Sequence, residues 1–211
     1  MLEKLKGRSV RQNERLARLL LVTREETEFS RAGRFQGGVD VPLTESACAR
    51  AASEWPGAGR DGTIGLEAIY SGADLGSRQT AEYVADSSAR RVRVSRGLRG
   101  VSLGLWEGQL VSDVRDRHQR SFEQWRRAPC SFTPPLAERM EAAFGRTGAA
   151  LKKIMRRHRV GVVAIVAAPT VLALTICRIR GHSPDRVFEV VDRLDPVVLL
   201  RGDGVPVRPT E

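Results

Sequence analysis

The chain has 211 residues, a length that suits one α/β domain with its own core. Its net charge of +10 comes from 35 basic residues, only four of them lysines, and the arginines are scattered without interleaved aromatic residues, which argues against nucleic acid as a partner. Cys48, Cys130 and Cys177 are odd in number and lack metal-ligand spacing, so we expect no disulfide framework, no metal, no cofactor and a reducing, cytoplasmic location.

A charged segment opens the chain. Residues 1–18 hold no apolar stretch ahead of a small-residue cleavage site, so they differ from a secretory signal. We predict a basic N-terminal extension there and favour a packing or solubility appendage over a partner-binding arm. Residues 19–211 are then expected to form a single α/β domain.

Strand-like and helix-like segments alternate after residue 18. The apolar-rich runs predict strands at Leu19–Thr23, Glu67–Ser71, Val92–Ser95, Val160–Ala167 and Val197–Leu200. Helical periodicity predicts helices at Glu45–Glu54, Ser77–Ala85, Val111–Trp125, Leu136–His158, Thr170–Ile179 and Asp185–Val191. This alternation predicts a doubly wound, mostly parallel sheet with helices on both faces and a ligand crevice at the carboxyl ends of the strands.

Two segments need a separate interpretation. Residues 160–177 are uncharged and almost long enough to suggest a membrane span, but Pro169 and the β-branched residues before it indicate a buried strand that turns into a packed helix. We therefore predict no membrane association. Residues 107–135 are longer and more polar than a simple connection, which predicts a helical cap over the crevice.

The first strand opens a run of recognisable residues. Residues 21–29 read Leu-Val-Thr-Arg-Glu-Glu-Thr-Glu-Phe, followed by Gly-Arg-Phe-Gln-Gly at 33–37 and Asp-Val-Pro-Leu-Thr at 40–44. This resembles the opening of the histidine phosphatase (phosphoglycerate mutase-like) superfamily, Leu-Val-Arg-His-Gly-Glu-Thr-Glu-Trp, then Gly-Arg-x-Gln-Gly and Asp-x-Pro-Leu-Thr. The resemblance implies a phosphoglycerate mutase-like fold.

Four later blocks extend the resemblance in the right order. They are Tyr-Ser at 70–71 with Gln-Thr-Ala-Glu at 79–82, Leu-Arg-Gly-Val-Ser-Leu-Gly-Leu-Trp-Glu-Gly at 98–108, Pro-Pro-Leu-Ala-Glu at 134–138, and Ile-Val-Ala-Ala-Pro-Thr-Val-Leu at 165–172. Within these blocks the framing residues persist. The resemblance therefore covers nearly everything after residue 18.

The family's chemical residues are replaced. The resemblance implies that a nucleophilic histidine should stand at Arg24, a second histidine at Ala168, clamp arginines at Thr23 and Gly76, and the proton-donating glutamate at Gly100. An arginine cannot attack phosphorus, because its guanidinium stays protonated and offers no lone pair. Arg78, two residues after Gly76, could supply the missing clamp arginine through a local shift, although a surface helix position is the favoured interpretation.

None of the chain's three histidines is predicted to replace the lost nucleophile. His118 falls in the cap, His158 at a helix end and His182 in a turn after Gly181. No one of them follows a strand at the crevice, so solvated or capping roles are favoured for all three.

The replacements lead to two functional predictions. In the first, the family's phosphatase or mutase chemistry is lost and the pocket performs a cyclisation, isomerisation, elimination or hydrolysis on a small metabolite. Glu25 would be the general acid or base beside Arg24. Thr23, Arg34, Gln36, Arg78 and Trp106 would then bind an anionic or carbonyl-bearing ligand, with Ala168 and Gly100 making room for it.

The alternative is a non-catalytic pseudophosphatase that binds, scaffolds or regulates a partner. An Arg24–Glu25 salt bridge that merely plugs the pocket would be the corresponding structural outcome. A homodimer is left open in either interpretation.

Overall fold

Five strands form one sheet in the computed structural model, which describes residues 17–55, 65–86 and 90–201. The strands are β1 (Arg18–Thr23), β2 (Leu66–Ser71), β3 (Val92–Val94), β4 (Val162–Ala167) and β5 (Val197–Arg201). Their order across the sheet is β3-β2-β4-β1-β5, and only β5 is antiparallel to its neighbour. The predicted α/β fold with a mostly parallel sheet is therefore confirmed. Most of the predicted 1–18 extension, residues 1–16, lies outside the described residues.

Eight α-helices occur among these described segments. They are α1 (Glu28–Arg31), α2 (Glu45–Glu54), α3 (Leu75–Asp86), α4 (Val111–Arg117), α5 (Gln119–Arg127), α6 (Met140–Arg157), α7 (Pro169–Ile179) and α8 (Val187–Val191). Short 3₁₀ turns lie at Arg96–Leu98, Gly104–Trp106 and Pro184–Arg186. Thr44 caps the start of α2 by accepting a hydrogen bond from the backbone of Ala47, as expected of a threonine before a helix.

The central strands are buried on both faces, and alternate residues enter two separate cores. Leu19, Leu21 and Ile165 pack on one face together with residues of α6, α7 and α8. Leu20 and Val166 pack on the other face with α2 and α3. Because successive side chains of a strand point to opposite faces, the apolar run of β4 supplies both cores at once.

Two predicted helices differ from the observed ones. The helix predicted over residues 111–125 is broken at His118, whose φ of −131° and ψ of 42° are not helical, and it continues as α5. The helix predicted to start at Leu136 starts at Met140, because Leu136 has a φ of +59°. Periodicity alone did not show these local backbone departures.

The apolar stretch of residues 160–177 is divided between β4 and α7, as predicted. Within the segments described above, no helix has the length and apolar character needed to cross a membrane.

Candidate functional site

A cavity of about 260 Å³ opens where β1 and β4 end side by side. Thr23 pairs with Ala167 in the sheet, and the Arg24 N–H continues the ladder by donating to the Ala167 carbonyl at 2.9 Å. We call this space the crevice cavity. Its wall is formed by Arg24, Ser30, Arg34, Phe35, Gln36, Gly37, Val101, Leu103, Trp125, Met140, Ala168, Pro169, Thr170 and Val191.

Arg24 lies in this wall and forms an ion pair with a buried carboxylate, that of Asp74. Its Nη1 donates to Oδ1 of Asp74 at 3.2 Å, and the two side chains are 8% and 0% exposed. Burial lowers the pKa of the Arg24 guanidinium from its ordinary value, and the charge of Asp74 opposes that shift. The same Asp74 oxygen accepts from the Ser77 N–H at the start of α3, so one carboxylate serves both the arginine and the helix.

Gly76 provides the space for the Arg24 side chain. A Cβ added to Gly76 would lie 2.9 Å from Cδ of Arg24 and 2.9 Å from Cγ2 of Thr27. A side chain at residue 76 would therefore displace the arginine. Arg24, Asp74 and Gly76 therefore depend on one another: Asp74 pairs with the Arg24 charge, and Gly76 leaves the space that the Arg24 side chain fills.

Glu25 lies apart from the crevice cavity. Its carboxylate accepts a hydrogen bond from Arg50 of α2 at 2.6 Å, and its backbone N–H donates to Oγ1 of Thr80 at 3.0 Å. The salt bridge between Arg24 and Glu25 that would have plugged the pocket is not formed, because consecutive residues at a strand end turn to opposite faces. Arg24 pairs with Asp74 instead, and Glu25 pairs with Arg50. The expected salt bridge between Arg24 and Glu25 is therefore corrected.

Arg34 and Gln36 do line the crevice cavity, as their predicted roles require. Nη1 of the exposed Arg34 donates to the Gly108 carbonyl at 2.7 Å. The buried Gln36 accepts from Thr27 Oγ1 at 2.7 Å and donates to the Val39 carbonyl at 3.1 Å. Arg34 therefore brings a positive charge to the rim, while Gln36 mainly fixes the loop.

Thr23, Arg78 and Trp106 lie outside the wall of the crevice cavity. Thr23 Oγ1 and Arg78 Nε are buried without a hydrogen-bond partner among the described residues. Trp106 is a core residue whose ring lies 5.4 Å from that of Trp125, which does reach the cavity. Trp106 therefore supports the wall through a neighbour, and the binding roles of these three residues stay predictions.

Gly100 does not enlarge the cavity, and that expectation is corrected. A Cβ at residue 100 would lie 2.2 Å from the carbonyl oxygen of Gly37, so the backbone of another loop fills the space. Glu107 fastens the same region, because its Oε1 accepts from the N–H groups of Gly38 and Leu103, each at 3.0 Å. Of the two positions expected to make room for a ligand, Ala168 alone lines the cavity.

The three histidines all lie outside the wall of the crevice cavity. His118 is exposed at the break between α4 and α5, and His158 closes α6 with its side chain 6% exposed. His158 is thus a buried capping residue rather than a solvated one. His182 lies in the turn after Gly181 and is partly buried.

Several residues of the site were missed by the sequence reasoning. Asp74 could have been found, because it stands directly before a helical segment where an aspartate caps a helix. Met140 and Trp125 reach the cavity from helices that are distant in sequence, and no local pattern marks them. Thr170 also lines it, at the start of α7.

The start of α7 adds a further favourable feature for an anion. Ala168 is the residue before the helix and makes no side-chain capping bond, and α7 runs for 11 residues from Pro169. Pro169 has no N–H, and the Val171 N–H donates to the Ala168 carbonyl at 2.9 Å, so this helix start offers a negative charge the Thr170 N–H and the positive end of the helix dipole. Within residues 17–55, 65–86 and 90–201, no group of three or more His, Cys, Asp or Glu residues could hold a metal ion.

Known proteins resemble this chain over most of its length. Phosphoserine phosphatase 1 of Hydrogenobacter thermophilus is 24% identical over 166 residues, which cover 79% of this chain and 77% of that protein. The structure of Bacillus stearothermophilus YhfR has a TM-score of 0.76 at 26% identity and covers 92% of this chain and 96% of its own. The α-ribazole phosphatase from Shigella flexneri has a TM-score of 0.69 at 20% identity, with coverages of 82% and 84%.

These relatives contradict the prediction that the pocket has lost phosphoryl chemistry and performs a different reaction or none. The sequence relative, 24% identical over 79% of this chain, is named a phosphoserine phosphatase. The prediction was wrong because it equated the replacement of the two histidines, two clamp arginines and the glutamate with the loss of the reaction, whereas cleavage of phosphate esters depends largely on positioning and charge. The alternative prediction of a non-catalytic pseudophosphatase is contradicted by the same relative.

The family follows from the extent of the match. The model of the histidine phosphatase superfamily (branch 1) matches residues 20–200, which include all five strands of the sheet except the ends of β1 and β5. The chain belongs to the histidine phosphatase superfamily.

Proposed function

We propose that this protein binds a phosphate monoester of a small metabolite in the crevice cavity and hydrolyses it. The observation that carries the proposal is the meeting of two arginines, Arg24 and Arg34, with the start of α7 around one cavity. A phosphate dianion fits these two cations and the positive end of the α7 dipole. The phosphatase relatives support the reaction class, and the identity of the alcohol is left open.

Arg24 carries the charge that stabilises the phosphate. Its single Asp74 contact uses one Nη1 donor, and a guanidinium has five N–H donors in a planar fork. Because the side chain is almost fully buried, its interaction with a bound anion is less screened by water than that of a surface arginine. The exposed Arg34 would contribute less.

We further propose that hydrolysis here avoids a phosphohistidine intermediate. The resemblance aligns the family's nucleophile with Arg24 and its second histidine with Ala168, and neither can form a bond to phosphorus. The residues that line the crevice cavity include no histidine, aspartate or glutamate. Two hydroxyls also line the crevice cavity, those of Ser30 and Thr170, and we propose direct attack by water in preference to a phosphoserine or phosphothreonine intermediate.

The reaction balances without a covalent enzyme intermediate. The water oxygen forms a new bond to phosphorus while the bond between phosphorus and the ester oxygen breaks. The proton lost by water passes through a non-bridging phosphate oxygen to the departing alkoxide, which leaves as the alcohol. The arginines stabilise the charge that is spread over the phosphoryl oxygens.

The test is a hydrolysis assay on a panel of phosphate monoesters, including phosphoserine, sugar phosphates and p-nitrophenyl phosphate. Arg34→Gln should lower kcat/KM by about ten-fold, because it removes a cation that touches the crevice cavity while leaving the core intact. Arg31→Gln is the matched control, since Arg31 is exposed on α1 and contacts Glu28 rather than the cavity.

A denaturing quench with radiolabelled substrate tests the route. We expect no labelled protein to survive the quench, in keeping with attack by water. The quench is kept near neutral pH, because phosphohistidine is lost in acid. A phosphorylated His118, His158, His182, Ser30 or Thr170 would contradict the proposed route, and no hydrolysis of any ester above the uncatalysed rate would overturn the proposed function.

A further inference from the structure

A second and larger cavity, of about 640 Å³, lies between β3, the 3₁₀ turn at Arg96–Leu98 and α6. It shares no lining residue with the crevice cavity. Its wall carries five cationic side chains and no aspartate or glutamate, and the cations are Arg93, Arg96, Arg146, Lys153 and Arg157. We call it the basic cavity.

Among the described residues, four of these five cations have no carboxylate partner. Arg146 is committed, because its Nε and Nη2 atoms contact Glu138 at 2.6 and 2.7 Å. Within the described part of the chain, Arg93, Arg96, Lys153 and Arg157 take part in no ion pair. Four like charges around one cavity repel one another, and a multiply charged anion would relieve that repulsion.

Buried groups at the back of the basic cavity orient Arg93. His158 places Nδ1 2.7 Å from the Glu67 carboxylate, so that nitrogen donates and Nε2 is left as the acceptor. The Tyr70 hydroxyl at 3.0 Å and Arg93 Nη1 at 3.2 Å both face Nε2. Because the tyrosine and the imidazole are buried, they fix the arginine at the wall before any ligand arrives.

The other half of the basic cavity is apolar. Ala149, Ala150 and Ile154 of α6 line it together with Val94, a residue that is 55% exposed. A free ion such as orthophosphate would leave this half uncovered. The volume lies within the range of small-molecule sites, which combine apolar walls with a few polar groups.

We propose that the basic cavity binds a small molecule that carries two or more linked phosphate groups and an apolar or planar moiety. The linked phosphates contact Arg93, Arg96, Lys153 and Arg157, which supply the positive charge. The moiety covers the alanines of α6. This site is separate from the hydrolytic site proposed above and does not depend on that function.

The test is calorimetric titration of the full chain at low ionic strength with orthophosphate, pyrophosphate and ADP. We expect the affinity to rise in that order, and to fall as salt is added because the cations are exposed. Lys153→Gln and Arg157→Gln should each weaken ADP binding by about three- to five-fold. Arg156→Gln is the control, since Arg156 is an exposed neighbour on α6 that does not line the cavity.

Other outcomes would overturn the proposal in distinguishable ways. Loss of ADP binding in Arg34→Gln rather than in Lys153→Gln would place the ligand in the crevice cavity. Equal affinity for pyrophosphate and ADP would contradict the proposed contact between the ligand's apolar or planar moiety and α6. Tighter binding of a single-stranded oligonucleotide, lost in the same α6 variants, would make the surface a nucleic-acid site, and no binding of pyrophosphate or ADP would leave no site at all.

Discussion

At the scale of single residues, the site depends on a buried charge that is matched by its surroundings. Arg24 follows β1, and its side chain is accommodated because Gly76 has no Cβ. Asp74 supplies the opposite charge from the start of α3. A buried arginine without such a partner would be strongly destabilising, so we expect substitutions at these residues to have coupled effects on stability.

A double-mutant cycle tests this dependence. Asp74→Ala should lower the free energy of unfolding by about 3–5 kcal/mol, because it strands the Arg24 charge and removes the helix cap. Arg24→Leu combined with Asp74→Ala should cost clearly less than the sum of the two single changes. Urea denaturation of the four proteins measures both quantities, and strictly additive losses would refute the coupling.

At the scale of elements, α6 holds the loop that leads from Gly97 in the basic cavity to Val101 in the wall of the crevice cavity. Arg146 extends from α6 and donates to the carbonyls of Gly97, Arg99 and Gly100 at distances of 2.8–3.1 Å. It also donates two hydrogen bonds to the Glu138 carboxylate, from Nε and Nη2. Because one guanidinium satisfies three backbone acceptors and a carboxylate, the loop at 97–100 is fastened to the helix without regular secondary structure.

The Glu138 carboxylate gives this junction a dependence on pH. Burial alone would raise its pKa, but the hydrogen bonds and charge of Arg146, with Arg99, hold the pKa below its usual value. A carboxylate with a lowered folded-state pKa stabilises the fold above its unfolded pKa of about 4.5 and loses that effect as the pH falls. Stability should therefore decline in acid below about pH 4.5.

Urea midpoints of wild type and Glu138→Gln, measured between neutral pH and pH 3, test this contribution. We expect the variant to be less stable at neutral pH and to show a shallower loss of stability in acid. Parallel curves for the two proteins would show that Glu138 contributes nothing to the acid sensitivity.

At the scale of the whole molecule, the fold brings distant segments together at the crevice. β1 and β4 are separated by most of the chain, yet they are neighbours in the sheet and end side by side. The loops at Gly37 and Gly100 then meet backbone to backbone, with space for no side chain between them. The crevice is thus defined by contacts that form only when the whole sheet is assembled.

Alanine substitution of two glycines separates this close approach from ordinary helix effects. Gly100→Ala should destabilise the protein by about 2–4 kcal/mol, because its Cβ would lie 2.2 Å from the Gly37 carbonyl and the backbone must move. Gly145→Ala, an exposed position within α6 with open space around it, should stabilise by about 0.5–1 kcal/mol. Thermal unfolding compares the two, and a neutral Gly100→Ala would contradict the packing described here.

The candidate site was predictable in part. The motif frame placed Arg24, Arg34 and Gln36 correctly at the crevice cavity, because residues that follow parallel strands meet at one edge of the sheet. It misjudged Glu25, which turns away to Arg50, and Gly100, which is packed against backbone. The direction of a side chain and the distance between two loops are tertiary quantities, and no local pattern encodes them.

The sequence by itself determined the alternation of strands and helices, the mostly parallel sheet and the family, since these follow from apolar periodicity and short motifs. Tertiary structure alone decided the partner of the buried arginine, the break at His118 and the gathering around the basic cavity of four cations that form no ion pair in the described part of the chain. The physical reason is that periodicity reports burial along one element, whereas charge pairing and cavities depend on which elements become neighbours.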